Sequence, residues 1–190
     1  MNKDSPLAAL EDFVKVLKNT GISFLLGGSF ASSIHGDYRA TNDLDFLCQI
    51  PADKVPQFTS SLLADFIVDE IAVRSAILQR KSFSIFHEES FMKIDVFTEV
   101  GLYEKEQLTR AVEVTISGCS ETVSVCSPED IIIAKMRWYL LGGKMSDRQL
   151  TDILGVVKVQ RNIDFNYIRK WAETLELMEV FDKIKLGQHH

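Results

Sequence analysis

No stretch of this 190-residue chain approaches the roughly 20 consecutive apolar residues that cross a bilayer, so a membrane-spanning helix is not expected. Cysteine is scarce as well. Cys48, Cys119 and Cys126 form an odd set without paired metal-like spacing, which argues against a disulfide framework and a cysteine-built metal cluster. No positively charged start leads into an apolar stretch, so a secretory leader is not expected and a reducing cytoplasm is the expected location. Positive charge is short too: a net charge of −6 excludes a protein held on nucleic acid by a broad basic surface, while leaving a local basic groove open. Internal repeats and low-complexity linkers are missing. What is present is a 46% hydrophobic content, enough for one ordinary domain or a domain with a helical appendage.

Ser5-Pro6 reads as an N-cap and first-turn proline, followed by Leu7, Leu10, Val14 and Leu17 at helical spacing. The apolar run Ile22 to Leu26 reads as a buried strand that turns sharply at Gly27-Gly28, with Ser29 capping a brief helix stopped by Gly36. A strand is expected over Asp43 to Ile50, a helix over Pro51 to Ala64, a short strand over Phe66 to Val68 and a helix over Glu70 to Gln79. Ser82 to His87 and Phe91 to Phe97 flank a polar turn as a hairpin, and Val112 to Ser117 and Thr122 to Cys126 do the same around Gly118. A helix near Tyr103 to Arg110 separates the two. From Ser127 the character is helical: Ser127-Pro128-Glu129-Asp130 supplies a cap, a first-turn proline and two acids suited to the helix dipole. The expected organisation is a core over 1–126 and a helical region over 127–190, packed as one compact domain.

Three segments carry chemistry. Side chains alternate along a strand, so Asp43 and Asp45 share one face while Leu44 and Phe46 take the other. Two like charges so close call for a cation, or else for the solvated end of a strand. Asp95 lies between Ile94 and Val96, where an unpaired charge is costly unless that sheet face is partly open. A strand, Gly27-Gly28 and a helix opening at Ser29 form either a plain tight turn or a phosphate cradle of backbone N–H groups. Both G-x-x-x-x-G-K-[ST] and G-x-G-x-x-G are missing, which excludes a P-loop and a Rossmann fingerprint.

In this order, Gly27-Gly28-Ser29, Asp43-Leu44-Asp45 and Ile94-Asp95-Val96 resemble the nucleotidyltransferase superfamily that includes DNA polymerase β and the minimal nucleotidyltransferases. Tyr38-Arg39-Ala40-Thr41, Ser127-Pro128-Glu129-Asp130 with Lys135, and Arg148 with Asp152 further resemble its AbiEii/MenT toxin-like branch. The resemblance covers roughly residues 22 to 157. It implies an α+β (mixed α/β) fold, a mixed sheet flanked by helices with a C-terminal helical region. It also implies transfer of a nucleoside monophosphate from an NTP to an acceptor hydroxyl on a small molecule, an RNA end or a protein, with release of pyrophosphate. Asp43 and Asp45 would bind two Mg2+ ions, or Mn2+, with the triphosphate. Asp95 would bind the catalytic metal and prepare the acceptor, Gly28 and Ser29 would hold the terminal phosphates, and Gly27 would belong to the same nucleotide site. Arg39, Lys135 and Asp152 would serve the nucleotide.

Other readings of these residues stay open. Lys135 lies in the apolar run Ile131 to Met136, either as a phosphate ligand or with its stem packed and its amine in water. Arg148 and Asp152, four apart, would otherwise make a surface ion pair. Trp138 and Tyr139 either stack a base or belong to the core, and His35 and His87, without partners at metal spacing, read as structural or surface residues. A non-catalytic relative, such as a toxin–antitoxin component with an antitoxin or RNA as partner, and a metal-dependent phosphohydrolase are the competing functions. The apolar C-terminal helices could pack on the sheet or on another subunit.

Overall fold

The computed structural model describes residues 5–187, so His189 and His190, to which no function attaches, lie outside the described residues. The chain divides into two compact units: Met1–Phe30 with Ala40–Cys126, and Ala31–Arg39 with Ser127–His190.

The first unit is built on a seven-stranded sheet. Its strands are β1 (Ser23–Leu26), β2 (Asp43–Gln49), β3 (Phe66–Ile67), β4 (Phe83–His87), β5 (Lys93–Phe97), β6 (Val112–Thr115) and β7 (Thr122–Val125), in the order β3-β4-β5-β2-β1-β7-β6. The sheet is mixed: β2 pairs with β5 and β1 with β7 in parallel, and the remaining neighbours are antiparallel. Both expected hairpins are present, β4–β5 and β6–β7.

Helix α1 (Pro6–Asn19) begins where Ser5 Oγ accepts from Ala8 N at 3.3 Å, with Pro6 in the first turn. Its apolar stripe buries Phe13 edge-on against Phe46, Phe66 and Phe58, with ring centroids 4.9, 5.8 and 6.4 Å away. These rings lock one sheet face, and alternation sends Asp43 and Asp45 to the other. Helix α2 (Gly28–His35) starts one residue earlier than the expected cap, so Ser29 lies inside its first turn rather than before it. The segment expected as one helix from Pro51 splits into a 3-10 turn, Ala52–Lys54, and α3 (Val55–Leu62). Pro56 explains the break: it lacks an N–H and fits only the first turn of a new helix. Helices α4 (Glu70–Leu78) and α5 (Leu102–Arg110) complete this unit.

Glu11 on α1 ties the helix to the loop before β7. It accepts from Ser120 Oγ at 2.6 Å and Ser120 N at 3.2 Å, and it pairs with Lys15 at 2.8 Å. Hydrogen bonding from Lys15, then from Ser120, lowers its carboxyl from 4.5 to about 2. A carboxyl depressed in the folded state stabilises above its ordinary pKa, and that contribution is lost as pH falls from 4.5 to about 2. Glu11→Gln is expected to flatten that limb of the stability curve in denaturant titrations at stepped pH. An unchanged acid limb would contradict this role.

The second unit contains α6 (Pro128–Leu141), α7 (Asp147–Val159), α8 (Phe165–Thr174) and α9 (Met178–Gly187). The Ser127-Pro128-Glu129-Asp130 motif does more than cap α6. Asp130, fully buried, accepts from Ser127 Oγ at 2.7 Å and from Tyr167 Oη at 2.8 Å, while Glu129 accepts from Asp164 N at 3.1 Å. The two acids therefore pin α8 as well as complementing the helix dipole. Segment Ala31–Arg39 joins this unit because Gly36 lets its backbone touch α7: a Cβ there would lie 2.8 Å from Val156 N. His35 is buried and its carbonyl accepts from Gln160 Nε2 at 2.7 Å.

Candidate active site

The parallel pairing of β2 with β5 sets Asp45 directly opposite Asp95 and Asp43 opposite Lys93. Leu44, Phe46, Ile94 and Val96 point into the core with no exposure above 0%, so the intervening residues face the other way. Three carboxylates thus lie on adjacent positions of one sheet face. Each of the two outer acids is held by its own chain. Thr41 Oγ1 donates to Asp43 Oδ1 at 2.7 Å, Lys93 Nζ to Asp95 Oδ2 at 2.8 Å, and Ser84 Oγ to Asp95 Oδ1 at 2.5 Å. The hydrogen bond to Asp95 is the main cause of a raised Lys93 pKa, with the charges of Asp95, Asp43 and Asp45 adding and burial opposing.

The glycine turn is fastened to the same strand. Gly27 N donates to Asp45 O at 2.8 Å, and Gly28 takes φ +60° at the start of α2. A Cβ on Gly28 would fall 1.8 Å from Asp45 Oδ2 and 2.6 Å from its Cγ. Glycine is therefore required twice, by a left-handed backbone and by the carboxylate lying against it. Ser29 follows in the first helical turn.

The remaining expected site residues gather in the helical unit. Lys135, 5% exposed, places Nζ 2.7 Å from Asp152 Oδ2, so its amine reaches a carboxylate rather than water. Arg39 Nε lies 3.4 Å from Asp152 Oδ1, and the loop carrying it is fixed by Ser33, whose Oγ accepts from Arg39 N at 3.1 Å and donates to Arg39 O at 3.0 Å. The i,i+4 pair expected between Arg148 and Asp152 is replaced by these contacts. Tertiary packing turns Asp152 inward toward Lys135, while Arg148 is exposed. Tyr139 is core, its hydroxyl accepting from Lys183 Nζ at 2.8 Å, whereas Trp138 is 53% exposed. His87 is buried between Ser90 and Asp12.

Sequence reasoning missed Lys93, Ser84 and Thr41 as companions of the acids. Lys93 was accessible to the same alternation that pairs Asp43 with Asp45, being two residues from Asp95. Ser84 was not, because it needs the β4–β5 register. Among the described residues, no three His, Cys, Asp or Glu side chains converge into a group able to hold a metal ion. The donor type, carboxylates at three neighbouring positions of one sheet face, is the one a hard divalent cation takes.

No protein-family model matches the sequence, and no curated protein matches it by sequence. Solved structures do match. The antibiotic-resistance factor ANT(2'')-Ia aligns with a TM-score of 0.56 at 11% identity, covering 97% of each chain. An antigenic nucleotidyltransferase-like protein from Paracoccidioides brasiliensis aligns at 0.58 and 16% identity over 94% of this chain and 91% of that one. The lincosamide antibiotic adenylyltransferase LnuA, in its lincomycin-bound form, aligns at 0.53 and 12% identity over 84% of this chain and 98% of that one. Identities this low speak to fold alone, and they do not single out an AbiEii/MenT-type branch. With its mixed seven-stranded sheet and flanking helices, the chain has the nucleotidyltransferase fold.

Proposed function

We propose that the protein transfers a nucleoside monophosphate from an NTP to a hydroxyl acceptor. Direct pairing of Asp45 with Asp95, two residues from Asp43 and against the Gly28 turn, is what supports this reading. Asp43, Asp45 and Asp95 would hold Mg2+, two ions on the superfamily pattern, with Mn2+ as a substitute. Bound there, the metal supplies neutralisation of the triphosphate charge. Gly28 and Ser29, at the start of α2, would receive the terminal phosphates, where the helix dipole favours an anion, while Gly27 fixes the turn through its N–H on the Asp45 carbonyl.

Asp95 is the residue assigned to the acceptor. Its Oδ1 already takes a hydroxyl hydrogen bond, from Ser84 at 2.5 Å, and an acceptor hydroxyl would occupy the same role. In the proposed step that hydroxyl gives its proton to Asp95, its oxygen bonds to the α-phosphorus, and the bond to pyrophosphate breaks. Positioning and charge do most of the work in such transfers. In the helical unit, Arg39 and Lys135 both reach the carboxylate of Asp152, and the same reading gives this cluster a role in handling the nucleotide's phosphates.

Incubating the protein with Mg2+, each α-labelled NTP and a cell extract is expected to label an acceptor and release pyrophosphate. Release of phosphate without a labelled acceptor would indicate a phosphohydrolase instead. A second reading is a relative that binds nucleotide or a partner, such as an antitoxin, without catalysis. The engagement of Asp43 and Asp95 by their own chain favours it, and calorimetry showing no Mg2+-dependent NTP binding would favour it over the first.

A further inference from the structure

We propose that Lys93 is the resident cation of the acid face, and that a divalent ion takes Asp95 only in exchange for its ammonium. The inference rests on the reading above, because it supposes that this face accepts a metal.

Lys93 is placed for that task by register and reach. It stands opposite Asp43 across the β2–β5 pair, shares its sheet face with Asp95 two residues on, and donates to Asp95 Oδ2 at 2.8 Å. The other donors to Asp43 and Asp95, Thr41 and Ser84, are neutral hydroxyls and leave the charge of those carboxylates intact. Three neighbouring carboxylates need a counter-charge, and an ammonium supplies one unit of it where a divalent ion supplies two. Both cations compete for the same Asp95 oxygen. The side chain of Lys93 is 42% exposed on a flexible four-carbon stem, so it can leave for water without disturbing the strand. Lys93 is therefore a positioning residue: it holds the Asp95 carboxylate and sets the threshold at which free metal enters.

The test is a Mn2+ titration of the nucleotide-free protein, with free ion followed by electron paramagnetic resonance. Lys93→Met is expected to bind Mn2+ about tenfold tighter than the unsubstituted protein, the factor that about 1.4 kcal/mol represents. Lys93→Arg keeps the charge and is expected to bind as the unsubstituted protein does. Equal or weaker binding by Lys93→Met overturns the proposal, as does tighter binding by Lys93→Arg. Mn2+ binding that disappears in Asp95→Asn upholds the metal reading whichever way Lys93→Met goes. A protein that binds no Mn2+ with or without Lys93 overturns the metal reading, and the exchange with it. If Lys93→Met fails to fold, Lys93→Gln carries the same expectation.

Discussion

Asp45→Asn is expected to lower label transfer from an α-labelled NTP by on the order of a thousandfold, while the protein stays folded. Asp45 is the acid that joins the two halves of the proposed site. Its backbone carbonyl anchors Gly27, its carboxylate lies against Gly28, and its register partner is Asp95. Asparagine keeps the shape and removes the charge. A bound cation contributes several kcal/mol of transition-state charge stabilisation, and each lost increment of about 1.4 kcal/mol is tenfold in rate. The isosteric amide leaves the Gly28 contact and the strand pairing in place, so circular dichroism and the thermal transition should match those of the parent. Transfer that survives the substitution would remove Asp45, and with it the assigned site, from the chemistry.

Asp152→Ala is expected to destabilise the helical unit by about 3–5 kcal/mol, the cost of leaving one charge of a buried pair uncompensated. The side chains of Lys135 and Asp152 are only 6% and 8% exposed, so the lysine ammonium has no route to water where it stands. Arg39, at 32%, can turn outward and suffers less. The double replacement Lys135→Met with Asp152→Leu is expected to recover most of that loss, because removing both charges removes the desolvation penalty along with the attraction. Denaturant midpoints for the single and double variants decide the matter. A single variant as stable as its parent would mean that Asp152 does not hold the pair in place. The double variant also separates structure from function: recovered stability with lost NTP binding would assign the cluster to the nucleotide.

Much of the secondary structure is local and was readable as such. Alternation alone puts Asp43 and Asp45 on one face, the caps Ser5-Pro6 and Ser127-Pro128 start helices where they should, and the two hairpins follow from short polar turns between apolar runs. These signals need only neighbours a few residues away. Pro56 breaking the Pro51 segment was equally local, and reading that stretch as a single helix overlooked it. Asp152 is the opposite case. Nothing in its i,i+4 relation to Arg148 reveals that Lys135, seventeen residues earlier, lies 2.7 Å from its carboxylate. Asp130 likewise reads as a helix-dipole acid until Tyr167 reaches it.

By itself, then, the sequence determined the order of glycine turn, acid pair and third acid, the strand faces on which they fall, and the resemblance to a superfamily built on that order. Only the tertiary structure decided that Asp45 and Asp95 are register partners, that Ser84 holds Asp95, and that Lys135 and Arg39 share Asp152. The physical reason is one of range. Side-chain direction along a strand or helix follows from backbone geometry one to four residues away, whereas the pairing of charges across strands and helices follows from register and packing between segments the chain brings together from far apart.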